Sequence, residues 1–456
     1  MSIEIKVPQT PILDRGGADD KANAMREFIT NTPDTDFGRN LVFYVANDGD
    51  DNNDGLSPET PFKTPERTMS IPKHNFSVLF KRGDTFRLTE DICSRGHTTY
   101  AAYGEGPKPL ILGSSRDYAD PSIWTLHEGD IWVAEVGGEA GNIIFNNDTY
   151  VGERKLEYDM IEKDGDFHHD MENKKLYLKL SNGNPGEIFD NIEIASVSCA
   201  FKAFNVNNVQ VDNLHIKYTC RMGVSAVDCA KVDVTNCIME WIGGAYIGPR
   251  RNRYGNGVEY YYIAKDCKVT NCYFNQIFDA ALTFQGEGPE QTEFVSIYFE
   301  DNLIEHTSMN FEYWVNHIDK DGNRSADGIM HDIRFCRSII RGAGYGWSGR
   351  QRPYVGDQGA ILSWSRVFKA GVMKAFYFMD NIIDCADCSY IYAGLPSEQK
   401  EMYLSHNTYY QRKNTGLHNF TQIIRHLNLF AHNQEEFEFA IKHWDKNPDH
   451  VEWLNF

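Results

Sequence analysis

Residues 209–216 read VQVDNLHI: two apolar residues one position apart, one residue more, then Asn213, then further apolar residues. The pattern returns as VDVTNCIM around Asn236, CKVTNCYF around Asn271, IYFEDNLI around Asn302, IRFCRSII with Ser338 in the Asn place, FYFMDNII around Asn381 and MYLSHNTY around Asn407. The steps between copies are 23, 35, 31, 36, 43 and 26 residues. A short common step with variable excess is what stacked coils with loops of unequal length produce, because each coil adds a strand to each face and exports its insertions. Before each Asn, apolar and polar residues alternate, as in Val209 with Val211 or Val232 with Val234, the period of a half-buried strand. Asn tolerates the left-handed backbone of a sharp bend, and Asn residues in successive coils can hydrogen-bond into a ladder. Ser338 is expected to interrupt that ladder.

Seven copies at this spacing resemble the right-handed parallel β-helix of the pectin-lyase-like carbohydrate-active enzymes. An antiparallel sandwich lacks such self-similarity. The expected fold is all-β: a right-handed parallel β-helix over residues 41–420, an N-terminal cap segment over 1–40 and a C-terminal capping helix segment over 421–456. Residues 120–195 break the repeat and read as an inserted antiparallel β segment. Within it, GDFHHDMENKKLYLKLSNGNP (165–185) resembles a hairpin of glycan-acting β-helix enzymes. Met25, Phe28 and Ile29 share one helical face, suited to covering an open solenoid end. NQEEFEFAIKHW, with Asn433 and Glu436 at capping-box spacing, reads as the helix closing the other end.

With 65 acidic against 45 basic residues the formal charge is −20, which argues against a nucleic-acid or anionic-membrane surface for the molecule as a whole. The start, MSIEIKVPQTPILDRGG, lacks a basic stretch followed by an apolar run, so the chain is expected to be cytoplasmic as written, or secreted or periplasmic if trimmed. Cys229, Cys237, Cys267 and Cys272 fall at strand or turn positions and read as free core thiols. The CADC of Cys385 and Cys388 has no second pair at zinc spacing. No cofactor is expected. A structural calcium on Asp48, Asp50, Asp51 and Asp54 is the alternative to an Asp/Asn/Gly turn.

Between the Asn motifs lie strands that align by their inward residues: GVEYYY by Val258 and Tyr260, ALTFQG by Leu282 and Phe284, SMNFEYW by Met309 and Phe311, AILSW by Ile361. On that alignment one outward row runs Glu259, Thr283, Asn310, Leu362, and its neighbour runs Tyr261, Gln285, Glu312, Trp364. The bordering loops carry Arg250, Arg251 and Arg253 on one side and Arg350 and Arg352 on the other. Guanidinium forks match carboxylate or sulfate, which suits an anionic sugar polymer, while pairing with loop acids such as Asp357 is the plainer alternative. Tyr261, Tyr262, Trp314, Tyr345, Trp347, Tyr354 and Trp364 offer flat rings for sugar faces.

The outward carboxylates Glu259 and Glu312, with Asp279 as rival partner, suit the acid and the base or nucleophile of a glycosidase acting on an acidic or decorated oligosaccharide or polysaccharide. Arg250, Arg251, Arg253, Tyr261, Gln285, Asn310, Arg350, Arg352 and Trp364 are the expected substrate-binding residues. A polysaccharide lyase, drawing its base from His306, His331, Tyr261 or an arginine, is the first alternative. A noncatalytic glycan-binding β-helix is the second. The sequence leaves sugar, linkage, stereochemistry and oligomeric state open.

Overall fold

A computed structural model describes residues 17–38, 41–72, 74–247, 252–351, 358–365, 367–387, 389–399, 401–413 and 422–455. Among them the chain winds as a parallel β-helix. One sheet of 19 strands wraps two faces of the coil, and a sheet of 10 strands closes the third. The two wrapped faces join inside single strands. Met222–Thr235 and Val258–Thr270 each turn a corner in mid-strand, and their register shifts between Val227 and Cys229. Asp228 and Tyr262 adopt left-handed backbone at that corner.

The alternation read from the sequence is the core. Val209, Val211, Val232, Val234, Cys267, Val269, Ile297, Phe299, Ile333, Phe335, Phe376 and Phe378 stack inside the coil, fully or almost fully buried. The nine described cysteines are free, and Cys388 lies outside the described residues.

The Asn ladder forms, in a register one residue different from the motif alignment. Thr270 pairs with Glu300 and Glu300 with Cys336, so Asn271 lies level with Asp301, and Cys272 with Asn302. Asn213, Asn236 and Asn271 themselves take the left-handed bend; in the later coils Asp301, Arg337, Asp380 and His406 take it. The following residue is then turned inward. The Cys272 backbone N–H donates to Asn302 Oδ1 at 2.9 Å, that of Asn302 to Ser338 Oγ at 3.1 Å, that of Ser338 to Asn381 Oδ1 at 2.9 Å, and that of Asn381 to Asn407 Oδ1 at 3.0 Å. Ser338 therefore continues the ladder instead of interrupting it, because its hydroxyl accepts where an amide oxygen would. These groups are buried away from water, so each pairing removes a desolvation penalty.

The helix Asp19–Thr30, expected over an open end, lies along the outer face of the 10-stranded sheet. It covers a row formed by Ile238, Tyr273, Leu303, Ile339 and Ile382, one residue from each of five consecutive strands. Twelve helical residues span about 18 Å, and five strands span about 19 Å, so the helix runs the length of the row. Ile29 is buried there, whereas Phe28 points to solvent at 66% exposure. Charge clamps reinforce it: Arg26 bonds Glu305, Arg341 bonds Asp19, and the Gly17 backbone N–H donates to Asp384.

The helix Gln434–Trp444 inserts Phe437, Ala440, Ile441 and Trp444 into the core. Asn433 Oδ1 accepts from the Glu436 backbone N–H, and Glu436 reaches back to the backbone N–H of His432. The strand His450–Leu454 then extends the 10-stranded sheet beside Thr408–Arg412. The inserted segment holds its own five-stranded sheet around Trp124, Phe167, Leu176 and Leu178. Asp50 and Asp54 cap turns in the N-terminal loop, Asp51 accepts from Lys63 and Thr64, and Asp48 pairs with Lys81.

Candidate active site

On the face that carries the strands from Val258, Ala280, Met309 and Gly359, the ladder pairs Ser225, Glu259, Thr283, Glu312 and Leu362 in one row. The next row runs Val227, Tyr261, Gln285, Trp314. This corrects the sequence alignment: Glu312 belongs to the Glu259 row, and Asn310 lies two residues earlier. The cause is that SMNFEYW alternates through Met309, Phe311 and Tyr313. A slip of two residues keeps every apolar group on its own face, so hydrophobic pattern cannot detect it. Phe311 and Tyr313 are the inward pair, and Met309 packs with Ala280 and Leu362 in a small cluster of its own.

Glu259 is 4% exposed. Gln285 Nε2 donates to its Oε1 at 3.1 Å, and Asn256 Nδ2 reaches its Oε2 at 3.4 Å. Burial disfavours the charged form, the Asp279 charge adds to this, and the two amide donors only partly offset it, so its pKa is pushed up to about 7. Asp279 stands at the corner before Ala280 and is itself nearly buried, its backbone N–H donating to Gly255 O at 2.9 Å.

Glu312, also 4% exposed, is held differently. Both Trp314 Nε1 at 3.1 Å and Trp364 Nε1 at 2.7 Å donate to its Oε1, and Thr283 Oγ1 reaches its Oε2 at 3.4 Å. An indole N–H only donates, so this oxygen is fixed as an acceptor. Trp364, 40% exposed, stands edge-on to Tyr392 at 5.6 Å and leaves ring surface open above the row. Tyr261 packs edge-on against Tyr262 at 4.3 Å. Thr283 fills the rung between the two glutamates. Their backbones are thus two strand spacings apart, about 9.6 Å, with no lateral offset.

The arginines are placed otherwise than expected. Arg253 is buried: Nε donates to Gly244 O at 2.8 Å, Nη2 to Gly141 O at 3.0 Å and Nη1 to Gln351 Oε1 at 2.6 Å. Its guanidinium lies 4.4 Å from the Phe278 ring centroid, and burial with the nearby Arg154 charge lowers its pKa to about 9. It staples loops together and does not face a ligand. Arg250, Arg251, Arg352, Tyr354 and Asp357 lie outside the described residues, as does the side chain of Arg350. Asn310 is buried, donating to Thr307 Oγ1 at 3.0 Å and to Arg341 O, so it supports the corner from below. Trp347 and Tyr345 are buried as well. His306 bonds Asn275 at the edge of the 10-stranded sheet, and His331 faces Gly371 on the second wrapped face.

Sequence reading missed Arg221, Tyr254 and Asn256. Arg221 is half-exposed, lies 5.7 Å from the Tyr254 ring centroid and pairs with Glu139 at 3.3 Å. Burial raises the Tyr254 phenol, the Arg221 charge opposes this, and the Glu259 charge adds to it. Asn256 had a signal: in GNGVE it precedes the glutamate by three residues, across a corner that brings its amide back to the carboxylate. A cavity of about 220 Å³ adjoins Tyr262, lined also by Asp228, Ile263 and Gly288 to Gln291.

No family model matches the sequence, and no curated protein matches it. Solved structures with a similar chain path include one described as a glycoside hydrolase, at 10% identity over 91% of this chain and 96% of that one, with a TM-score of 0.48. XylC in complex with xylose matches at 11% identity over 84% of this chain and 70% of its own, TM-score 0.45. A lacto-N-biosidase from Eubacterium ramulus matches at 13% identity over 91% and 68%, TM-score 0.41. At this level the likeness is one of chain path.

Proposed function

We propose that the chain is a glycoside hydrolase acting on an oligosaccharide or polysaccharide with acidic units, and that it inverts the anomeric centre. The observation that carries this reading is a pair of buried carboxylates in one row, two rungs apart, held by different donors: side-chain amides at Glu259, indoles and a hydroxyl at Glu312. Glu259, with its pKa near 7, still carries a proton in about half of the molecules at neutral pH and serves as the general acid toward the glycosidic oxygen. Glu312, fixed by two indole donors and Thr283, serves as the base that activates a water on the opposite face of the sugar.

Inverting pairs are spaced about 6.5–9.5 Å apart and retaining pairs about 5 Å. The backbones stand about 9.6 Å apart with no lateral offset, and both carboxyls reach toward the strand between them, Glu259 to Gln285 and Glu312 to Thr283, which supports the first spacing. Asp279 then acts on Glu259 through its charge. Trp364 and Tyr261 offer ring faces to the sugar, and Arg221 offers a cation for an acidic substituent. Of the candidate bases for β-elimination, His306 and His331 are away from this row, whereas Tyr261 stands in the neighbouring row, so the product assay below decides between the two reactions.

The test is a proton NMR time course on uronate-containing oligosaccharides, recording the first-formed anomer. Inversion is expected, with Glu259→Gln and Glu312→Gln each lowering kcat by ~10²–10⁴. Products absorbing in the ultraviolet, as an unsaturated uronate does, would overturn hydrolysis. Full turnover by both variants would overturn the assignment.

A further inference from the structure

The inserted antiparallel sheet has one face built into its own core and one face open. Cross-strand pairing places Thr125, Val133, Tyr177 and His168 side by side on the open face, and Glu135 beside Lys175 two residues along. Between this face and the stretch leading into it lies a cavity of about 610 Å³, whose polar lining is Arg116, Ser122, Thr125, His127, Glu135 and Lys175. Two cations thus face one carboxylate, in a chain with 65 acidic and 45 basic residues.

Neither cation forms an ion pair with a described residue. The Arg116 guanidinium lies 4.9 Å from the Tyr118 ring centroid, which leaves its N–H edge unused, and Asp120 nearby is engaged in capping Ser122. At the cavity wall His127 stands edge-on to Tyr177 at 5.2 Å and to Tyr158 at 6.1 Å, and the two tyrosines meet at 4.9 Å.

We infer that this open sheet face is a second carbohydrate-binding site, separate from the glutamate row, and that it takes a uronate unit of an oligosaccharide. The three kinds of surface on a uronate each find a counterpart. The carboxylate meets Arg116 and Lys175, the hydroxyls meet Ser122, Thr125 and Glu135, and the apolar sugar face meets Ile123, Val133 and the His127 ring, which Tyr158 and Tyr177 hold in place. An inorganic anion would use only the first of these. The inference shares with the proposed function the premise of an acidic glycan, but it does not depend on which residues perform catalysis.

The experiment is calorimetric titration of the full chain carrying Glu259→Gln, so that the ligand survives, with trigalacturonate as probe and xylotriose as its neutral counterpart. The double variant Arg116→Ala/Lys175→Ala is expected to lose one equivalent of trigalacturonate binding, or to weaken it tenfold or more. Thr125→Trp, which fills the cavity and removes no charge, is expected to do the same. If the glutamate row also binds, stoichiometry falls from two to one; if that reading fails, it falls from one to zero, so the two failures are told apart. Unchanged stoichiometry and affinity in both variants would overturn the inference. So would xylotriose binding as tightly as trigalacturonate, or equimolar sulfate displacing the trisaccharide.

Discussion

Replacing Glu259 by Gln separates catalysis from stability in a way that depends on pH. In the unfolded chain a glutamate titrates near 4.5, and in the folded chain Glu259 titrates near 7. Between these values the unfolded chain has released a proton that the folded chain still holds. Stability therefore falls as pH rises through this window, by ~1.4 kcal/mol per unit, and the loss is complete above about 7. A difference of some 2.5 units makes the total about 3 kcal/mol. Gln has nearly the same shape, retains an oxygen for the Gln285 donor and never ionises.

The variant should thus gain on the wild type by about 3 kcal/mol between pH 4.5 and pH 8, while losing turnover. Urea denaturation of both proteins at pH 4.5 and pH 8, followed by tryptophan fluorescence, reads the change in their difference. The wild-type kcat/KM should also fall above pH 7, as the acid form is lost. A stability difference between Gln and wild type that stays constant across pH would refute the placement of Glu259 as a carboxyl made neutral by burial.

Three further perturbations address other parts of the molecule. Trp364→Phe removes the 2.7 Å donor to Glu312 and keeps most of the ring; a hydrogen bond to a charged group contributes about 1.5–3 kcal/mol, so kcat should fall by roughly 10–100-fold, measured by steady-state kinetics. Arg253→Met removes the donors to the Gly141 and Gly244 carbonyls and to Gln351; the melting temperature should drop by an amount corresponding to about 3 kcal/mol or more, and calorimetric binding of trigalacturonate by molecules that remain folded should be unchanged. Asn381→Ala leaves the Ser338 N–H and the Phe335 carbonyl without their side-chain partner and should cost about 2–3 kcal/mol in urea denaturation, whereas Asn381→Ser should recover part of the loss, because serine already serves this role at position 338.

The mutual arrangement of these groups was only partly legible in the chain. Which residues face inward could be read wherever apolar and polar residues alternate, as at Val232 and Val234 or Phe284 and Leu282, because that period follows from the pleat of the strand itself. The seven motifs likewise fixed a parallel coil and the general place of its bends. The bend residue was legible only to within one position: Asn271 bends its own backbone, but in the next coil Asp301 does so and Asn302 turns inward. Both readings satisfy the local pattern, and only the strand pairing separates them.

What a single strand specifies is thus facing, and that much the sequence determined: a parallel β-helix, its inward rows, and Glu259 and Glu312 as outward carboxylates on strands of one face. Tertiary structure decided the rest. A two-residue slip leaves every face unchanged, so only the stacked coils decide that Glu312 shares a row with Glu259 and that Asn310 does not. Burial and charge are likewise properties of what packs around a group. Only the folded chain covers Glu259 and raises its pKa, and only there is Arg253 drawn out of the arginine-rich loop into contact with Gly141 and Gln351, more than 90 residues away on either side.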